Sequence, residues 1–447
     1  MTHSGTCPLG VSSPVGRSHY ALFQIMLSRQ YSVVSYGNRD AYEIPFALHE
    51  VGALSCLLTD FYSPDWLVRL SRRLRSAPFK QAIESRFHPG VSSAFSRNCL
   101  LTKSLYDLFL KLRGLSIHER DRHLDCLLST IALKHLLGHP GEALLCYSYY
   151  WKSIDRALSQ GLLVQPVYFF QVHPCVSQVQ AIIQADRAMT GLTYLPEPEE
   201  VFPDHLEERF IACLRNSSGI IAASSFTVKG LADRGVNSSK IRVVPYGAFH
   251  DNATTSQLNA SLSDSRWMSH QPLRLLWVGQ LSYRKAAHHL FTALRSFSGS
   301  QVQLTIVSRS QMPKELAALC PDNARFVSGA TDSLKTELYC SHHLFVLPSL
   351  VEGFGLVYLE ALAAGLPILG SSNSGAADII EDKVHGFIVH PGDPDAIQRV
   401  IDTCLSEPSL LQQMSVSALS LARSLTWSRF RAGIRQSLAD FESESTP

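Results

Sequence analysis

In the second half of the chain, short apolar runs alternate with segments of helical period. Leu273–Val278 predicts a strand ending at Gly279, the segment from Lys285 to Arg295 a helix, and Val302–Val307 the next strand. Helices are expected around Glu315 to Leu319 and across Ser333 to Tyr339, followed by the apolar run Leu344-Phe345-Val346-Leu347. Beyond it come a strand at Pro367 to Leu369, a helix at Ala376 to Glu381 and a short strand Phe387-Ile388-Val389. Asp393-Pro394 opens a further helix, with the aspartate as N-cap and the proline at the first helical position. Such alternation predicts a parallel sheet with helices on both faces, and ligands bind such sheets outside the C-terminal strand ends.

The first half carries a weaker pattern. Tyr31–Tyr36 reads as a strand, Gly37-Asn38-Arg39-Asp40 as a loop, Pro45 to Val51 as a helix and Ser55–Thr59 as a strand, which together make a βαβ start. Val167–Val172 is an apolar strand running into His173, and Ile220–Thr227 and Ile241–Gly247 are two more segments of the same kind. From Asp251 to Gln271 the chain is rich in Ser, Asn and Thr without a helical period, which reads as a connection between domains. Trp427 to Phe441 is amphipathic. The expected organisation is an N-terminal domain over 1–262, a second over 263–426, and a terminal helix over 427–447 that crosses back to the first.

With 447 residues the chain exceeds what one hydrophobic core usually supports. An apolar content of 45% with 17% charged residues is that of a globular protein, and a net charge of +2 gives no reason to expect nucleic acid as a partner. The 10 cysteines are scattered without a paired Cys-x-x-Cys spacing, which favours free thiols in a reducing compartment. Met1-Thr2-His3-Ser4-Gly5 lacks the basic and apolar regions of a secretory signal, and no window approaches a spanning helix. A cytoplasmic protein is expected, peripheral at most to the inner face of a membrane.

Chemistry concentrates in Pro348–Glu360. The Leu344–Leu347 strand runs into the turn Glu352-Gly353-Phe354-Gly355, where glycines let the backbone approach a ligand, and a helix starts at Leu356 and stops at Gly365-Leu366-Pro367. A helix N-terminus offers unpaired N–H groups and a positive dipole end, so it suits a diphosphate. Glu352 on the loop and Glu360 between one and two turns into the helix then flank that anion with hydroxyl acceptors, as a nucleotide sugar needs.

A glutamate, seven residues and a second glutamate, with Gly-Phe-Gly after the first, resembles the signature of the family-4 glycosyltransferases. Matching segments run from about His173 to Gly392, while the first 160 residues match only loosely. The resemblance implies a GT-B architecture: two Rossmann-like α/β domains with doubly wound parallel sheets facing across a cleft. It implies a retaining transfer from a nucleotide sugar, with UDP or GDP as carrier, to a glycan or lipid-linked acceptor. Glu360 would bind the ribose hydroxyls, Glu352 the sugar hydroxyls, and the N–H groups from Phe354 to Leu356 the diphosphate. His173 resembles the family's histidine that approaches the donor sugar. In Gly279-Gln280-Leu281-Ser282-Tyr283-Arg284-Lys285, Lys285 matches the lysine that neutralises the departing diphosphate. Gln280 stands where the family has arginine and Ala286 where it has glycine, so Arg284 is the residue expected to compensate.

No cofactor is expected, and no metal, since there is no Asp-x-Asp motif on a loop and cationic side chains take the metal's role. Gly37, Asn38 and Arg39 are the candidates on the acceptor side. The segment 64–80 sets Trp66, Leu67, Leu70 and Leu74 beside Arg69, Arg72, Arg73 and Arg75, a basic amphipathic pattern suited to peripheral contact with an anionic membrane. Two other readings share these features: a non-catalytic sugar-nucleotide-binding subunit, and a glycosyl phosphorylase or epimerase of the same architecture.

Overall fold

The computed structural model describes residues 27–73, 76–194, 202–248, 264–267 and 272–444. Met1–Gly5, expected to lack a secretory signal, lie outside them, as do Leu74 and Arg75 of the basic segment and most of the Asp251–Gln271 segment.

Two all-parallel sheets organise the chain. The first has seven strands in the order β3-β2-β1-β4-β5-β6-β7. These are β1 Gln30–Val34, β2 Leu54–Thr59, β3 Ser96–Asn98, β4 Glu142–Tyr147, β5 Val167–Gln171, β6 Gly219–Ala222 and β7 Ile241–Val243. The second has six in the order β10-β9-β8-β11-β12-β13: β8 Leu273–Val278, β9 Val302–Ser308, β10 Ala324–Ser328, β11 Leu344–Leu347, β12 Ile368–Ser371 and β13 Gly386–Val389. Every strand pair is parallel, with registers such as Phe169↔Ile220 and Phe345↔Ile368. Central strands read as unbroken apolar runs because helices cover both of their faces: all five residues of β5 are buried, as are all four of β11.

In each sheet the strand order reverses direction once, between β1 and β4 in the first and between β8 and β11 in the second. Loops leaving these four strands therefore diverge and open a crevice, which is where ligands bind in open α/β sheets. The helix Trp427–Glu444 belongs by packing to the first sheet: Arg431 donates to Glu43 at 2.6 Å and to Glu50 at 2.9 Å, and Phe441 stacks on Tyr168.

Three expectations need correction. Arg284 and Lys285 do not open an α-helix. They lie on a 3-10 turn, Tyr283–Lys285, closed by Ala286 at φ 55°, and the α-helix begins only at Ala287. A left-handed residue there explains why glycine would suit position 286, since a Cβ costs roughly 1–2 kcal/mol in that conformation. The Gly37–Asp40 loop runs into a left-handed turn, with φ of 49° at Asp40, 49° at Ala41 and 64° at Tyr42. Finally, within the segment read as the connection between domains, Asp264–Trp267 forms a 3-10 turn docked on the second half. Arg266 is buried and donates to the carbonyls of Cys340 (2.8 Å), Ala364 (3.0 Å) and Gly365 (3.0 Å), capping the ends of the helices Asp332–Ser341 and Leu356–Ala363.

Candidate active site

The loop after β11 is fixed from several sides before any ligand is considered. Arg284 O accepts the N–H of Leu350 at 2.8 Å, Asn373 O accepts that of Glu352 at 2.9 Å, and Ser371 donates to Ser349 O at 2.6 Å. Gly355, at φ 91°, starts the helix Leu356–Ala363, and a Cβ there would meet the Tyr358 ring at 2.6 Å. Phe354 is buried and packs edge-on against Tyr246 of the first domain at 5.3 Å.

Glu352 lies between two cations. Lys285 Nζ donates to its carboxylate, and Arg284 Nη1 donates to the same oxygen at 3.0 Å. Burial alone would raise the Glu352 carboxyl, but the Lys285 and Arg284 cations outweigh it and hold it down to about 2. The site thus stores a carboxylate against two positive charges at the C-terminal ends of β8 and β11. A diphosphate placed there would find both cations within reach.

Across the crevice, Gly353 meets the backbone of Val172 and His173, the exit of β5. His173 is exposed, with Tyr149 of the first half and Arg284 and Glu352 of the second near its ring. Desolvation among these neighbours, and next to it the Arg284 cation, push its imidazole down to about 4, so it is neutral near pH 7. Its ring packs edge-on against Tyr149 at 5.6 Å, and Tyr149 carries the Arg39 guanidinium over its face at 4.3 Å. Arg39 therefore joins the β1 and β4 exits to the group around His173. The left-handed turn beside it is held by Asp40, whose carboxylate accepts from Tyr147 and, at 3.1 Å, from Tyr246. Burial pushes Asp40 up to about 6 despite those two phenols. Gly37 donates its N–H to Asp60 at 2.9 Å, and Asn38 is exposed at the rim.

The remaining candidates are spread more widely. Gly279 ends β8, and a Cβ there would touch only the Trp277 ring at 3.4 Å, so the protein itself leaves room. Gln280 is exposed beside it. Leu356 is exposed on the first turn of its helix, and Glu360, also exposed, accepts from Tyr339 at 2.9 Å. The structure thus gathers His173, Arg284, Lys285, Glu352 and Gly353 at one place, with Arg39 one aromatic ring away, and leaves Gln280 and Glu360 at the solvent edge.

One inter-domain cluster was not foreseen. Asp186, on the helix Val176–Thr190, accepts from Tyr283 at 2.8 Å, and its two oxygens pair with His288 at 3.0 Å and His289 at 2.5 Å. It anchors the Tyr283–Lys285 turn to the first domain, and the adjacent histidines in an otherwise apolar helix were the signal for it. Its ligand atoms lie within 4.8 Å of one another, as do those of His135, His139 and Glu142, so both groups have the spacing to hold an ion. In the first, the Asp186 carboxylate is already filled by these three partners.

Comparison with known proteins agrees with this geometry. The pattern described as glycosyl transferases group 1 matches residues 267–419. An uncharacterized glycosyltransferase of Methanocaldococcus jannaschii is 37% identical over 142 residues, covering 30% of this chain and 36% of that protein. A D-inositol 3-phosphate glycosyltransferase of Geodermatophilus obscurus is 24% identical over 333 residues, 71% of this chain and 70% of its own. The chain spans only 36% and 54% of the lengths of two of the curated relatives it matches. Among solved structures, the sucrose-phosphate synthase of Thermosynechococcus elongatus aligns over 93% of this chain and 100% of its own, with a TM-score of 0.59 at 16% identity. Anabaena HepE in complex with UDP-glucose aligns over 93% of this chain and 99% of its own, with a TM-score of 0.56 at 16% identity. These likenesses establish the GT-B fold, and the second sheet with the loop that carries Glu352 is the part of the chain that is similar to the glycosyl transferases of group 1.

Proposed function

We propose that this chain is a retaining glycosyltransferase that moves a sugar from a nucleotide diphosphate, UDP foremost, to a hydroxyl acceptor. One observation carries the reading. A buried glutamate, Glu352, is clasped by Lys285 and Arg284 at the C-terminal ends of β8 and β11, directly across from His173. The UDP and UDP-glucose named with HepE support the choice of carrier.

In this reading the diphosphate takes Lys285 and Arg284 as its counter-ions, together with the N–H groups of Phe354, Gly355 and Leu356 at the helix start. Glu352 is then released from its pairing toward the sugar hydroxyls, and Glu360 serves the ribose. The acceptor oxygen forms its bond to the anomeric carbon on the face from which the phosphate oxygen departs, and its proton passes to that phosphate oxygen. Neutral His173 accepts or donates a hydrogen bond to the sugar as positive charge develops on the ring. Gly37, Asn38 and Arg39 line the acceptor side, and the basic segment 64–80 favours a lipid-linked acceptor over a free glycan. Exposed Gln280, in the place of an arginine, favours a second reading as a sugar-nucleotide-binding subunit without transfer.

A thermal-shift screen over nucleotide sugars, followed by transfer assays with the stabilising donor, tests both. A ligand at 100 times its dissociation constant adds about 2.7 kcal/mol. Stabilisation with turnover supports the enzyme; stabilisation without hydrolysis or transfer supports the second reading. Indifference to every nucleotide sugar overturns both.

A further inference from the structure

The helix Leu100–Leu112 is apolar on the side that faces away from the protein. Its inward side carries Leu110, 3% exposed, and Lys103, which reaches Asp60 at 3.5 Å. Opposite, at successive helical spacings, Leu101, Leu105, Leu108 and Leu112 are 79%, 69%, 53% and 80% exposed. At 1.5 Å per residue this stripe is about 16 Å long. A surface helix of a soluble domain normally puts charged side chains there.

The surroundings are strongly basic. Residues 64–113 contain ten Lys/Arg against three Asp/Glu, a net charge of +7, whereas the whole chain carries +2. All three acids are engaged: Asp107 with Lys111 (2.9 Å) and Arg120 (3.0 Å), Asp65 with Ser93 (2.7 Å) and Glu84 with Lys80 (3.9 Å). The neighbouring helix Asp65–Ser71 exposes Trp66 at 65% and Leu70 at 48%, and Arg69, Arg72 and Arg73 are exposed on it or just past its end. The segments that lead into the two helices are bonded to each other: Tyr62 N–H donates to Asn98 at 2.8 Å and Cys99 N–H to Thr59 O at 3.0 Å.

Exposed leucines in a line, an exposed tryptophan on the Asp65–Ser71 helix and the exposed cations Arg69, Arg72 and Arg73 match one surface chemistry. Leucines enter the acyl boundary, tryptophan lies at the headgroup level, and Lys and Arg side chains are drawn to an anionic leaflet. We propose that the outer face of the Leu100–Leu112 helix, together with the exposed Arg69, Arg72 and Arg73, docks this protein on an anionic lipid bilayer. Lys103 links that face to the crevice, since its partner Asp60 also accepts the Gly37 N–H. The docked molecule would hold its acceptor side at the membrane. Docking does not depend on the transfer reaction, so its test does not either.

The experiment is vesicle flotation with phosphatidylglycerol–phosphatidylcholine vesicles and with phosphatidylcholine alone. It compares wild type, the triple variant Leu101→Gln/Leu105→Gln/Leu108→Gln, and Arg69→Gln/Arg72→Gln/Arg73→Gln. Wild type should partition to the anionic vesicles, and the leucine variant should lose about tenfold or more of that partition while keeping its unfolding midpoint. The arginine variant should lose the salt-sensitive part of binding. Absence of wild-type flotation, or equal flotation of wild type and the leucine variant, overturns the proposal. So does a wild-type dimer that ignores vesicles and becomes monomeric in the leucine variant, because the stripe is then a contact between two copies.

Discussion

Gly353 and Val172 touch backbone to backbone: a Cβ on Gly353 would lie 2.2 Å from the Val172 carbonyl oxygen. That contact joins the exits of β11 and β5, and it sets how closely Glu352 approaches His173. No flexible side chain is there to yield. Gly353→Ala must therefore push the two walls apart by a distance on the order of 1 Å, a displacement that costs catalysis about 100-fold. Steady-state kinetics with an identified donor should show the loss in kcat with nucleotide affinity nearly unchanged. Wild-type kcat in this variant would remove the contact from the mechanism.

Glu352 gives a prediction with two signs. Its folded carboxyl is held at about 2 against an ordinary value of 4.5. A depressed carboxyl contributes stability that is complete above about 4.5 and is lost as pH falls toward 2. The shift corresponds to a stabilisation on the order of 3 kcal/mol at neutral pH. Glu352→Ala should lower the unfolding midpoint at pH 7 and flatten the acid limb of the stability curve. In the proposed reaction it should also abolish transfer while nucleotide binding persists, since Lys285 and Arg284 are then free for phosphate. Turnover at the wild-type rate would sink the role given to this carboxylate.

How much of this was legible follows from burial. Strands covered on both faces, such as Leu344–Leu347 and Val167–Gln171, are unbroken apolar runs and could be read directly. Edge strands β3 (Ser-Arg-Asn) and β10 (Ala-Arg-Phe-Val-Ser) are largely exposed and carry no such run, so they escaped. Strand β4, Glu142–Tyr147, is apolar but follows the 21-residue helix Ile117–Leu137, and a short apolar run there does not distinguish strand from helix. At the site, Glu352 and Lys285 stood out because each lies in a local motif. Tyr149 and Asp186 did not, because their meaning comes only from partners distant in sequence, Arg39 and His173 for one, Tyr283 and His288 for the other. The left-handed turn at Asp40 to Tyr42 had no glycine to announce it.

Two buried histidines outside the crevice contribute to the acid sensitivity of the second domain. His342 Nδ1–H donates to Leu338 O at 2.6 Å and its Nε2 faces Thr305 Oγ1 at 2.8 Å. His343 Nδ1 accepts the Arg274 N–H at 2.9 Å and its Nε2–H donates to Arg266 O at 2.6 Å. Protonation of His343 would set a new N–H against an existing donor. Burial is the main cause that pushes both imidazoles down to about 4. The unfolded chain binds these protons first, near the ordinary 6.5, so the histidines' contribution should make stability fall as pH drops from about 6.5 to about 4 and should change no further below that. Thermal unfolding across that range should show the decline, and His343→Asn should reduce it. A flat profile from 6.5 to 4 would contradict the assigned protonation states.

Gln280 offers the opposite kind of test, a gain. It follows Gly279 at the end of β8, exposed and uncharged, while the Leu281 N–H donates to Ser310 at 3.1 Å and fixes the backbone next to it. In the proposed reaction an arginine at this point would face the departing diphosphate, beside Arg284 and Lys285, which pair with Glu352 while no donor is bound. A third cation would meet charge that develops only as the phosphate leaves, so its effect should appear in kcat more than in donor affinity. Gln280→Arg is expected to raise kcat by about tenfold or more, because a single preorganised donor at such a centre is worth 100- to 1,000-fold when removed. Tighter donor binding with unchanged kcat would mean that the arginine neutralises the ground-state diphosphate instead, and that Arg284 already supplies what the transition state requires.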